Sequence, residues 1–248
     1  MPENPSPLDQ AAMSVLDHLQ ELRVRLTRAV IALIVCSLGS FFFSKQILLF
    51  LLSPMGDYPV IAPRPTTSIS IFMKISLLSG VILALPYVAY QFLRFVTPGL
   101  TPKERRSLLW FIPGATFSFL SGAAFAFFVM VPAAIPFLLG FLSDVVQPTW
   151  MIDEYIPFLI SLIFWVGVSF ETPLLCYFLA RLGIINAKAL LKGWRIAMIV
   201  IAILAAGITP TPDPFNMMLV MVPLLLLYFL GVFLAWIAGR QKRNRARV

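Results

Sequence analysis

The chain has 248 residues, of which 60% are hydrophobic and only 12% charged. Soluble domains carry about 25% charged residues, so this composition excludes one and indicates an all-α polytopic membrane protein forming a single domain over residues 1–248. A formal charge of +8 would suit a nucleic-acid partner, but its distribution along the chain assigns it to membrane topology instead. Cys36 and Cys176 lie in separate apolar segments without paired spacing and read as small buried hydrophobes, neither a disulfide nor a metal pair. The N-terminal residues carry Glu3, Asp9, Asp17 and Glu21, and no small-residue cleavage site follows a short apolar core. The first apolar run therefore reads as a retained span.

In chain order, residues 14–26 are predicted to form a helix that starts at a Ser14-x-x-Asp17 signal. Leu16, Leu19, Leu22 and Leu26 make an apolar stripe at helical spacing, and Glu21 and Arg25 form an i,i+4 pair on the polar side. His18 is the only histidine; without a Cys or His frame around it, it reads as a helix-surface residue and not a metal ligand. A hydrocarbon core of ~30 Å takes about 20 apolar helical residues. Six spans follow, at about 26–43, 71–92, 108–139, 157–180, 196–208 and 215–238, with a basic tail over 239–248. Between the first two, residues 46–53 are too short to cross and read as an interfacial helix, after which Pro54, Pro59, Pro63 and Pro65 stiffen the return. Trp150 marks a membrane boundary in the loop before the fourth span. The fifth span gives only ~20 Å of helix, so it demands local bilayer thinning or burial against protein, and the turn from Thr209 to Pro214 sits deep. Pro86, Pro113, Pro132, Pro136, Pro173 and Pro223 each kink or end a helix, which favours a concave bundle.

With six spans, all of the 19 Lys and Arg except Lys45, Arg64 and Lys74 fall on one side, together with both termini. That side is cytoplasmic by the positive-inside rule, and its cations lie near anionic headgroups.

Three acids stand out. Glu171 is the only charge in the 157–180 segment; a carboxylate there costs about 2.5–3.5 kcal/mol on insertion scales. Pro173 lacks an N–H and frees the carbonyl of Ser169, four residues back, so the pair suggests a polar site facing protein or water. Glu21 is either a solvated partner of Arg25 or a cation site in a basic rim. Glu104 follows Thr101-Pro102, an N-cap and a first helical position, and is either a capping-box acid or a second such cation site. In either rim a guanidinium with its bidentate fork would be preferred to an ammonium. The chain carries no nucleotide-binding loop, dinucleotide fingerprint or hydrolase elbow, and no cofactor or enzymatic activity is expected.

The stretches His18 to Arg23, Ser53-Pro54, Phe95 to Arg106, Ala123 to Phe128, Gly167 to Pro173 and Thr209 to Asp213 occur in a familiar order across nearly the whole chain. They resemble the TatC family, the multispanning subunit of the twin-arginine protein translocase. The resemblance implies a glove-like six-helix bundle in the bacterial inner membrane, with two short final helices. It also implies a receptor for folded proteins that carry twin-arginine signal peptides, driven by the proton motive force with single-span TatA and TatB partners and further copies of itself. Residues matching Glu21, Arg23, Phe95, Glu104 and Arg105 would then form the signal-peptide surface. Glu171, with Thr209 and Asp213, would engage the signal peptide or partner helices, and Pro54 would be an important outer-loop position. Two residues depart from the family pattern: Phe127 replaces a common tyrosine, and Met217 a common glutamine, beside an Asn216 that would point about 100° away. The alternative from the residues alone is a proton-coupled solute transporter using Glu171 as a relay, although no second relay acid or paired broken helices accompany it. A third reading makes Glu171 an interhelical clamp.

Overall fold

The computed structural model describes residues 7–56, 58–96, 111–140, 150–209 and 213–245. Helix α1 (Pro7–Phe41) is followed by α2 (Ser44–Leu52) and a short 3-10 turn, Ser53–Met55. Then come α3 (Thr67–Val96), α4 (Phe111–Phe125), α5 (Val131–Gly140), α6 (Ile152–Leu182), α7 (Ala187–Lys192), α8 (Trp194–Ile208) and α9 (Pro214–Arg245). Among the described residues, five segments are long and apolar enough to cross a membrane: Leu19–Phe41, Thr67–Phe92, Phe111–Gly140, Ile152–Leu182 and Pro214–Arg240. The helix at the expected fifth span, α8, has 15 residues, or ~22 Å of helix, and is short as expected for that segment. The last helix is full length, so only one of the two final helices is short.

The N-terminal helix and the first span are one continuous rod. It starts at Pro7, not at Ser14, because Pro7 fits a first helical position and Asp9 a third, an earlier start signal of equal quality. Its leucine stripe is not buried: Leu19, Leu22 and Leu26 are exposed. The rod stops at Phe41, two residues short of expectation, where a turn at 42–43 leads into α2. The C-terminal tail is likewise helical to Arg245.

Pro86, Pro136, Pro173 and Pro223 lie inside helices and end none of them. Pro132 has a visible consequence upstream. It cannot donate to the carbonyl four residues back, and the chain passes through a π turn, Ala126–Met130, in which the Val131 N–H reaches the carbonyl of Ala126. The wider turn accommodates the proline without breaking the rod formed by α4 and α5.

Helix α6 is the centre of the bundle, packed between α4 and α9 and touching α3. Its Tyr155, Ile156, Leu159, Leu162 and Val166 are buried. Two glycines set the α4–α6 separation: a methyl group at Gly122 would stand 2.7 Å from the Phe170 ring, and one at Gly167 2.8 Å from the Phe119 ring. Small residues at such contacts let helices approach in a bilayer, where burial against lipid-like surface supplies little net drive. At the start of α6 the Tyr155 hydroxyl donates to the carbonyl of Leu51 at 3.0 Å, satisfying a buried phenol and tying α2 to α6. Val60–Ile61 and Trp150–Met151 pair in parallel as β1 and β2, joining the segment before α3 to the segment before α6, and Trp150 packs edge-on to Tyr155. The short helix expected over 46–53 is present as α2, with Ser44 and Leu51 buried.

Helix α1 packs chiefly on α3. A methyl group at Gly80 would stand 2.1 Å from Ser37 Oγ and 2.5 Å from Ser37 Cα, and Ser44 Oγ lies 2.7 Å from Ser76 Oγ. Val30, Ile31, Ile34, Val35 and Leu38 of α1 are exposed and apolar, as a lipid-facing helix requires.

Candidate functional site

Midway along α1, the antiparallel partner α3 brings its last turn alongside. Gln20, Glu21, Val24, Arg25, Arg28 and Arg94 line a cleft of about 270 Å³ there. Glu21 Oε1 accepts from Arg25 Nε at 2.9 Å and also from Arg25 Nη2. The i,i+4 pair is therefore formed. Among the described residues both bonds fall on Oε1, which leaves Oε2 open to a further donor. Arg94 lies over the Tyr90 ring, 5.7 Å from its centroid. Of the other sequence candidates, Arg23 is exposed and does not line the cleft. Phe95 is half-buried beside Arg94 in the last turn of α3. Glu104 and Arg105 lie outside the described residues. In the sequence Arg28 belongs to the basic rim around Glu21, and Arg94 marks only sidedness. What singles them out is the α1–α3 register, which joins residues far apart in the chain.

Glu171 sits near the middle of α6, half-buried, with Oε1 buried and without a partner among the described residues. The polar surroundings expected from Pro173 are present in modified form. Ser118 of α4 donates to the carbonyl of Phe170 at 2.6 Å, and Ser169 Oγ turns back to the carbonyl of Trp165 at 2.7 Å. Trp165, Val168 and Leu175, on neighbouring turns of the same helix, are exposed. The acid thus stands at the edge of an open apolar strip. On the other flank α9 closes against α6 at Gly231, where a methyl group would meet Cys176 Sγ at 3.1 Å and Pro173 Cα at 3.4 Å.

The third cluster surrounds the start of α9. Thr209 is buried and donates to the carbonyl of Ala205 at 3.1 Å. Asp213 is the N-cap of α9: its Oδ1 accepts from the Asn216 N–H, and its Oδ2 from Asn216 Nδ2, both at 2.8 Å. Pro214 occupies the first helical position, where its missing N–H costs nothing. Asn216, read from the sequence as merely adjacent to a lost glutamine position, is buried and serves as the internal partner of Asp213. Met217 packs half-buried against the apolar core. Asp213→Ala is expected to lower stability by about 1 kcal/mol for the cap and about 1–3 kcal/mol more for the stranded amide. Thermal unfolding of the detergent-purified protein checks this, with Asp213→Asn losing less. Pro54 opens the 3-10 turn Ser53–Met55, which seats the buried Met55. Phe127 is buried and stacked on Phe50 with centroids 4.5 Å apart.

The family model described as Sec-independent protein translocase protein (TatC) matches residues 17–223. The Sec-independent protein translocase protein TatC of Deinococcus radiodurans is 39% identical over 239 residues, covering 93% of this chain and 88% of that protein. Its counterpart from Aquifex aeolicus is 37% identical, covering 94% and 98%, and the chloroplastic TATC of Arabidopsis thaliana is 35% identical, covering 94% and 69%. The crystal structure of a twin-arginine translocase receptor, TatC, superposes with a TM-score of 0.82 at 35% identity, over 89% of this chain and 99% of that one.

Proposed function

This chain belongs to the TatC family of Sec-independent protein translocase proteins, and from that premise we propose that it is the signal-peptide receptor of a twin-arginine translocase. One observation carries the docking step: Glu21 stands in an open cleft and already holds a guanidinium, that of Arg25. An incoming arginine pair takes Oε2 or displaces Arg25, and Glu104 accepts the second arginine, with Arg23, Phe95 and Arg105 completing the surface. The apolar part of the signal peptide then runs along the open strip beside Glu171. Thr209 and Asp213 flank the outer end, where single-span TatA- and TatB-type helices would pack, and further copies of the chain would join the complex. The distribution of Lys and Arg supports six spans in the bacterial inner membrane with both termini cytoplasmic. Transport of folded cargo would draw on the proton motive force. Family membership favours this reading over a proton-coupled solute transporter.

The test is binding of a twin-arginine peptide to variants in nanodiscs. Glu21→Ala and Glu104→Ala are each expected to cost about 1.5–3 kcal/mol, the worth of a charge-assisted bond, and to erase the preference for Arg-Arg over Lys-Lys. Arg25→Gln, which removes the internal competitor, is expected to tighten binding. An unchanged Arg-Arg preference in both acid variants overturns the docking scheme.

A further inference from the structure

We infer that Ser118 of α4 is a positioning residue for Glu171: its hydroxyl holds α6 at the carbonyl beside the acid and fixes the face from which the acid is presented. The Ser118 hydroxyl donates to the carbonyl of Phe170 at 2.6 Å, one residue before Glu171. This is the stretch of α6 that Pro173 weakens. The proline lies inside the helix and cannot donate to the carbonyl of Ser169. The turn that carries Glu171 therefore lacks a backbone bond that a regular helix would have. In membrane helices, hydroxyl side chains and neighbouring helices make good such a loss, and here one serine on α4 does both.

Packing on the same side sets the rotation of α6. A methyl group on Gly122 of α4 would stand 2.7 Å from the Phe170 ring, and one on Gly167 of α6 would stand 2.8 Å from the Phe119 ring. Each helix thus seats a ring over a glycine of the other, and Phe125 of α4 flanks Phe170 with centroids 5.7 Å apart. At about 100° per residue, Gly167 and Phe170 lie about 40° and 100° from Glu171 on one side of the helix. Pro173 and Cys176, which meet α9 at Gly231, lie about 160° and 140° away. The helix that flanks the acid is therefore α4, and the exposed Val168 and Leu175 lie on the other side of it. Any small residue at position 118 would allow the close approach; a hydroxyl adds a directed bond to the backbone next to the acid. The consequence for docking rests on the reading of Glu171 as a contact for the signal peptide or a partner helix. The consequence for the acid's own orientation does not.

The test uses the full chain in nanodiscs and two readouts. The first is the rate at which the apolar probe dicyclohexylcarbodiimide modifies Glu171, followed by mass spectrometry of the Glu171 peptide. Ser118→Ala is expected to raise it about threefold to tenfold, the range that an interhelical hydrogen bond in a bilayer is worth. Ser118→Thr keeps the hydroxyl and is expected to restore the original rate. Ser44→Ala, which removes the hydroxyl contact between α2 and α3 at Ser76, is expected to leave it unchanged. An unchanged rate in Ser118→Ala, or an equal rise in Ser44→Ala, overturns the proposal. The second readout is binding of a twin-arginine peptide. Ser118→Ala is expected to weaken it about threefold, and to have no effect when Glu171→Gln is already present. Equal weakening with and without Glu171 overturns action through the acid. A raised modification rate with unchanged peptide binding supports the positioning role and instead sinks the docking role of Glu171.

Discussion

Gly80→Ala is expected to cost about 3 kcal/mol, the upper end of what overpacking a tight interior normally costs. The added methyl would stand 2.1 Å from Ser37 Oγ, 2.5 Å from its Cα and 2.6 Å from its N. Two of those three are backbone atoms of α1, so no rotamer change relieves the contact and the helices themselves must separate. Because α1 rests chiefly on α3, the displacement would reach the cleft, where Glu21 and Arg94 come from the two helices. Gly39→Ala is the control. It lies in α1, two residues from Ser37, with nothing within 4 Å of the new methyl, and it should be neutral or stabilising by up to ~1 kcal/mol. Thermal or denaturant unfolding in one detergent compares the pair. Equal effects would show that the α1–α3 contact is looser than described.

Glu171→Leu is expected to move stability and export in opposite directions. Glu171 Oε1 is buried without a partner among the described residues, a state that costs about 1–3 kcal/mol, in addition to the cost of placing an acid at membrane depth. Leucine would extend the apolar strip of Val168 and Leu175, and unfolding should become harder by about 1–3 kcal/mol. Export of a twin-arginine reporter, in cells whose own copy is deleted, should be lost if the acid serves signal-peptide or partner docking. A costly group retained where a hydrophobe would pack better is the pattern of a functional site. A fall in stability with Glu171→Leu would instead make the acid a clamp within the bundle, as would full export by Glu171→Gln.

The legible parts of the chain were those set by local chemistry. The positions of the long apolar helices, the Glu21–Arg25 pair, the short helix α2 and the shortness of α8 follow from composition and helical spacing over a few turns. The proline readings fared less well. A proline removes one bond and one carbonyl contact, but whether a helix bends, widens or continues depends on its neighbours. Pro132 acts through a π turn one residue upstream, and beside Pro173 a serine from α4 binds the adjacent carbonyl. The pairing of β1 with β2 had no signal in two-residue segments ninety positions apart.

The sequence by itself determined that this is a membrane-embedded helical protein of the TatC family with a costly acid inside its fourth span. Hydrophobicity, charge placement and motif order belong to the chain and survive without its fold. Which faces are buried was decided only by the tertiary structure. In a bilayer both the lipid-facing and the core-facing sides of a helix are apolar, so periodicity cannot separate the exposed stripe of α1 from the buried face of α6. The same holds for the contact of Gly80 with Ser37 and for the cleft that Arg28 and Arg94 both line. Those depend on the register of two antiparallel helices, set by close packing of residues far apart in the chain.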